Sequence, residues 1–194
     1  MNTDEELAFS DLNLAEAARE MARWHSDYRI KEHGDLLLVA GFDPRPIGYS
    51  NCAMVLGPNA VEDPERTFAL MDEFFDGIGR GYTCWIRDHL DQGLEEYAQK
   101  LGLSAISDLP GMLLDTPTPE RSLGAGLVVE QAMDAEAISL IEAIEAGGYA
   151  AMGLTPETCA NIFGMPERLL NPYTIVAIGY AEGKPVSAAI SILS

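Results

Sequence analysis

The residues able to do chemistry in this sequence are few and scattered. Its histidines are His25, His33 and His89, and no two of them stand at the helical spacing that shared metal ligation requires. His89 directly follows Asp88 at the end of a strand-like run, so the pair has the composition of a carboxylate-supported general base. Its place in the chain also suits a solvent-facing turn and cap, and that plainer reading is preferred. Cys52, Cys84 and Cys159 are odd in number and widely separated, with no CxxC or Cys/His cluster. Neither a zinc site nor a disulfide framework is indicated, and no metal is expected. Cys52 and Cys84 fall inside apolar runs, where a thiol behaves as a small hydrophobe. Ser104, Ser107, Ser187, Ser191 and Ser194 lack the G-x-S-x-G context of a hydrolase nucleophile. Trp24, Phe74, Tyr82 and Trp85 could line a pocket, but their spacing fits core packing better.

The charge balance narrows the classes of partner. Twelve basic residues face 31 acidic ones among 194, a formal net charge of −19. Such a surface repels nucleic acids and acidic membranes, so neither is expected as a partner. It is compatible with a cationic small molecule, although solubility alone accounts for it. Hydrophobic residues make up 47% of the chain, enough for a real core. Apolar runs such as 36–40 and 126–129 are far too short to span a bilayer. Met1–Leu7 is acidic where a secretory signal would be basic and then apolar, so a cytoplasmic location is expected.

The elements that must position any site can be read from periodicity and punctuation. Leu14, Ala17, Ala18, Met21 and Ala22 share a helical face, giving a helix from Leu14 to about Trp24 capped by Asn13 or Asp11. A bent strand or hairpin follows through 30–40, with a turn at His33-Gly34, then a turn at Asp43–Pro46 and a strand over 47–56. Asp63-Pro64-Glu65 opens a helix running to about Phe75, with Asp as cap and Pro in the first turn. A short aromatic strand (82–87), a helix (90–101) stopped by Gly102, and short strands at Ile106 and Met112–Leu114 come next. Thr116-Pro117-Thr118-Pro119 has linker chemistry. Beyond it are a strand over 127–131, and a helix capped by Asp134 that buries Ile138, Ile141 and Ile144 and ends at Gly147-Gly148. A helix opened by Thr155-Pro156-Glu157 and running to about Phe163 follows, then a hairpin of 174–180 and 186–193 turning at Glu182-Gly183-Lys184. The fold class is α/β (α+β).

Four stretches in this order are similar to one family. They are Gly79–His89 (GRGYTCWIRDH), Pro110–Asp115 (PGMLLD), Tyr149–Glu157 (YAAMGLTPE) and Tyr180–Ala189 (YAEGKPVSAA). Together they resemble the GNAT-superfamily acyl-CoA N-acyltransferases of actinobacterial type that carry an extra N-terminal GNAT-like domain. The resemblance implies a mixed sheet flanked by helices, with residues 1–115 a degenerate GNAT-like domain, 116–124 a linker and 125–194 the opening half of a catalytic domain. The activity it implies is transfer of an acetyl group from acetyl-CoA, the co-substrate, to a small-molecule amine acceptor. Its usual mechanism is direct attack by the deprotonated amine on a thioester polarised by a backbone N–H of the fourth strand. Tyr149, Met152 and Phe163 occupy the family's acceptor-binding bend and are the substrate-binding candidates.

The family grips the pyrophosphate of acetyl-CoA with an Arg/Gln-x-x-Gly-x-Gly/Ala loop at a helix N-terminus. No stretch of residues 126–194 carries that loop, and the expectation is that the chain stops before it, leaving no cofactor-binding or catalytic residue to assign. In the first domain the corresponding position is Gly57–Arg66, with one glycine, two prolines and three carboxylates, a composition hostile to an anion. These residues alone are therefore expected to be inactive. A non-catalytic binding or regulatory module is the alternative, and a homo-oligomer in which a second chain supplies missing strands is a third reading.

Overall fold

The computed structural model describes residues 3–41, 50–57, 62–111, 119 and 122–192. The chain divides into two compact units, Met1–Leu114 and Asp115–Ser194. The expected turn at Asp43–Pro46 and the strand at Met112–Leu114 lie outside the described residues.

In the first unit, helix α1 (Thr3–Arg23) leads into strands β1 (Arg29–His33), β2 (Leu36–Ala40) and β3 (Asn51–Val55). Helix α2 (Pro64–Asp76), strand β4 (Thr83–Trp85) and helix α3 (Gln92–Lys100) complete it. The sheet order is β1-β2-β3-β4, antiparallel except for the last pair, in which β4 lies parallel to β3 after the α2 crossover. Gly34, at φ +58, supplies the left-handed backbone that the tight β1–β2 turn needs.

Every residue of β2 and β3 is buried. Successive side chains point to opposite faces, so both faces must be covered. Leu36, Leu38, Ala40, Ala53 and Val55 pack with Phe68, Met71 and Phe75 of α2 and Leu94 of α3. On the other face Leu37, Val39, Cys52 and Met54 meet Ala15, Ala18 and Ala22 of α1. That alanine stripe brings the helix axis close to the sheet.

Helix α1 begins at Thr3, well before the Leu14 start expected from the sequence. Asp4, Glu5 and Glu6 in its first turn complement the dipole, so Asn13 and Asp11 lie inside the helix instead of capping it. The α2 start matches expectation: Asp63 accepts a hydrogen bond from Arg66 N at 3.1 Å, and Pro64 occupies the first turn. Gly102 ends α3 region at φ +79. The strand expected at Ile106 does not form. Leu103, Ile106 and Leu109 are all exposed, because single apolar residues among Ser104, Ser107 and Asp108 present no common face to bury.

In the second unit, strand β5 (Leu127–Gln131) is followed by helices α4 (Ala135–Tyr149), α5 (Pro156–Phe163) and α6 (Pro166–Leu169). Strands β6 (Thr174–Ala181) and β7 (Lys184–Ile192) close the order. The antiparallel sheet runs β5-β6-β7, and Glu182-Gly183, both at positive φ (50 and 77), form the β6–β7 turn. Thr174, Val176 and Ile178 alternate as the buried residues of β6, and α4 packs on β7 and α5. Asp134 caps α4 through Ala137 N at 2.9 Å, and Ile138 and Ile141 are buried while Ile144 is only partly so. The helix does not end at Gly147-Gly148 but runs through them to Tyr149. The left-handed stop is Gly153, at φ +82, after a 3-10 turn over Ala150–Met152. Among the described residues no helix is long and apolar enough to cross a membrane.

Nothing lies within 4 Å of a Cβ built at Gly147, and its φ is not in the left-handed region. Gly147→Ala is therefore expected to stabilise the protein by about 0.5–1 kcal/mol, measured by chemical denaturation.

Candidate functional site

Two places hold groups that could act on a ligand, one in each unit. The first is the α4–α5 corner. Tyr149 closes α4, the 3-10 turn and Gly153 reverse the chain, and the Thr155 side chain caps α5 through Thr158 N at 3.2 Å. This brings Tyr149 and Phe163 together as a stacked pair, with ring centroids 5.5 Å apart and planes at 15°. Phe163 is buried and works as the packing member, whereas Tyr149 is only half-buried. The Met152 backbone lies in the turn, and its side chain is outside the described residues.

The polar neighbours of this corner were not singled out by the sequence. Glu145 stands one helical turn before Tyr149, and burial pushes its carboxyl pKa up. The Tyr149 phenol is raised as well, by burial first and then by Glu145 and Cys159. Cys159, wholly buried on α5, has its thiol raised by burial and then by Glu145 and Glu142. The Glu142 carboxylate lies 2.6 Å from where a Cβ on Gly164 would stand, so glycine there leaves it room. A half-buried phenol beside a carboxyl group whose burial opposes ionisation suits an ammonium group, which gains from the aromatic face and from the Glu145 carboxylate it ionises.

The second place is a cavity of about 460 Å³ in the first unit. The β3–β4 ladder spans only three residue pairs and stops at Met54↔Trp85. Val55, Leu56, Arg87, His89 and Leu90 continue around the opening beyond it. The N-terminal half of α1 forms the facing wall with Asp4, Leu7, Ala8, Asp11 and Leu12. Crevices outside the carboxyl ends of parallel strands are the usual ligand positions of such sheets.

An ionic clamp fixes that wall. Asp91, wholly buried at the start of α3, accepts from Arg87 Nε at 2.8 Å, Arg87 Nη2 at 2.9 Å and the Arg87 backbone N–H at 2.9 Å. Arg87 Nη1 also reaches Asp11 Oδ2 on α1 at 2.9 Å, and the same oxygen lies 3.1 Å from His89 Nε2. These carboxylates hold the Arg87 pKa above its usual value, the Asp91 hydrogen bonds contributing most. The partner of His89 is thus Asp11 and not Asp88, which only lends its carbonyl to the Gln92 side chain at 2.7 Å. His89 belongs to a structural clamp at the cavity rim, and no substrate-ready base pair with Asp88 exists.

The remaining sequence candidates are structural. Cys52 and Cys84 sit in the sheet, and burial pushes both thiols up to about 12, far from a reactive thiolate. Tyr82 stacks on Phe75 at 4.5 Å and donates to Asp72 Oδ1 at 2.8 Å, and Trp24 is buried. Among the described residues no group of three or more His, Cys, Asp or Glu side chains is placed to hold a metal ion.

Acetyl-CoA finds no cradle at the α2 N-terminus. Pro64 has no N–H, Arg66 N donates to the Asp63 carboxylate, and Thr67 N donates to Asp63 O at 3.0 Å. With no N–H on Pro64 and a carboxylate already seated on Arg66 N, these residues do not fit a pyrophosphate.

The electrostatics of the corner give a pH test. The folded pKa of Glu145 lies above its unfolded value of 4.5, so the folded state holds that proton more tightly. This contribution to stability is present below pH 4.5 and is lost as pH rises through the folded value. Glu145→Gln is therefore expected to raise stability near pH 7 and leave it nearly unchanged below about pH 4, read as denaturation midpoints across pH.

No protein-family model matches the sequence, and no curated protein matches it. Among solved structures, a GCN5-related N-acetyltransferase from Kribbella flavida matches with a TM-score of 0.57 and 20% identity. The match covers 93% of this chain and 68% of that one. The chain therefore has the fold of a GCN5-related N-acetyltransferase across nearly its whole length.

Proposed function

We propose that this chain is part of a GNAT-type N-acetyltransferase that transfers acetyl from acetyl-CoA to a small-molecule amine. Residues 1–115 serve as a degenerate GNAT-like domain, 116–124 as a linker and 125–194 as the opening half of the catalytic domain. The observation that carries this reading is the likeness to the Kribbella flavida acetyltransferase, which extends over both units. The β5-α4-α5-β6-β7 order supports it, as does the α4–α5 corner at the position where the family resemblance puts the acceptor.

The share of the work given to these residues is acceptor binding. Tyr149 offers a half-exposed aromatic ring, Glu145 and Glu142 offer carboxylates, and Phe163 holds Tyr149 in place by stacking. Met152 is the third contact residue. The donor half of the reaction needs an anion cradle, and the α2 N-terminus does not provide one. That same observation favours the second reading, a GNAT-shaped binding or regulatory module without chemistry.

Two titrations of the 194-residue chain test the proposal together. Primary amines are expected to shift NMR signals around Tyr149, with the response lost in Tyr149→Ala. Calorimetry is expected to show acetyl-CoA binding no tighter than about 1 mM. Micromolar acetyl-CoA binding would overturn the division of labour. An absence of amine response at Tyr149 would overturn the acceptor assignment.

A further inference from the structure

We propose that the cavity of the first unit is a binding site for a protonated amine carrying an apolar body, such as an arylalkylamine. This site is separate from the α4–α5 corner and does not depend on the acetyltransferase reading. Its volume, about 460 Å³, lies in the range of small-molecule sites, and its walls are largely apolar: Leu7, Leu14, Met54, Trp85 and Leu90.

The sign of the ligand's charge follows from how the polar groups are used. Two guanidinium groups line the cavity, and both are already neutralised. Arg87 is held by Asp91 and Asp11, and Arg19 by Glu16 and Glu32. An anion entering the cavity would find no uncommitted cation and would face two lining carboxylates, Asp4 and Asp11. Of Asp11, only Oδ2 is engaged among the described residues, and Asp4 forms no ion pair among them. A cation is therefore the complementary charge.

The helix sets the spacing. Asp4, Leu7, Ala8 and Asp11 recur at intervals of three and four, so they share one face of α1. Seven residues of helix place the two aspartates about 10 Å apart along the axis, with the apolar pair between them. An ammonium group at Asp4, the carboxylate outside the clamp, leaves an apolar body lying over Leu7 and Ala8 towards Trp85. The clamp through Arg87 holds this half of α1 over the strand ends, so the wall is preformed and binding need not order it.

The probes are 2-phenylethylamine, its anionic counterpart 3-phenylpropionate, and ethylamine, which has the charge without the body. With the α4–α5 amine contact removed by Tyr149→Ala, calorimetry should show saturable one-to-one binding of phenylethylamine, with the other two at least about tenfold weaker. Asp4 and Ala8 are exposed on α1, so Asp4→Asn and Ala8→Trp leave the core untouched. Made on the Tyr149→Ala chain, each should weaken phenylethylamine binding by about tenfold or more with unchanged circular dichroism. The proposal is overturned if phenylpropionate binds as tightly as the amine. It is also overturned if binding survives Ala8→Trp, disappears in Tyr149→Ala, or never saturates.

Discussion

The first unit rests on two adjacent strands that water cannot reach from either side. Because β2 and β3 are buried at every position, each needs a helix on both faces, and the sequence supplies two kinds of helix surface. On one face α2 offers Phe68, Met71 and Phe75, large side chains that fill the space over a bent layer. On the other, the buried residues of α1 are alanines, which trade side-chain volume for close approach, with Leu14 beside them. The cysteine in β3 and its neighbour in β4 belong to this layer, and their chemistry is packing.

Holding α1 so close has a second effect at its other end. The helix is longer than the sheet face it covers, and its first turns project past the strand ends, where no alanine stripe can seat them. An arginine from the β4–α3 connection bridges that gap by sharing its guanidinium between Asp91 and Asp11. Asp91 is wholly buried, so the arginine is also its obligatory counter-ion: removing one member of such a pair is far more costly than its net contribution suggests. Cavity, clamp and projecting helix are one device, and the carboxylates that neutralise its cations also set which ligand charge it accepts.

What could be read from the sequence follows the range of the interactions concerned. Asp63, Asp134 and Thr155 act within three residues of themselves, and each cap stands where its pattern says it should. The β6–β7 hairpin was equally plain, since alternation and a Gly-containing turn are local signals. Asn13 and Asp11 are not caps: a capping residue type in mid-helix looks the same as one at a start, and the acidic turn at Asp4–Glu6 is the better signal. The clamp was invisible for a different reason. Arg87 and Asp11 lie 76 positions apart, and nothing in either neighbourhood announces the other. Tyr149 and Phe163 are legible only through the family resemblance, and their stacking depends on a turn whose stop, Gly153, lies beyond the Gly147-Gly148 pair expected to end α4.

Those two glycines, Gly147 and Gly148, sit in the last turn of α4, immediately before Tyr149. Each lowers the helical preference of its residue by about 1 kcal/mol relative to alanine, and neither contributes a side chain to packing. The final turn thus has a weak helical preference of its own, and the stack of Tyr149 on Phe163 is what ties it down, away from Ile138 and Ile141. Its amides should exchange with solvent hydrogen far faster than those of the buried turns. The ring of Tyr149 is carried on that turn, so parting the two rings and fraying the helix end are one local event, set by Phe163 and not by the stability of the unit as a whole.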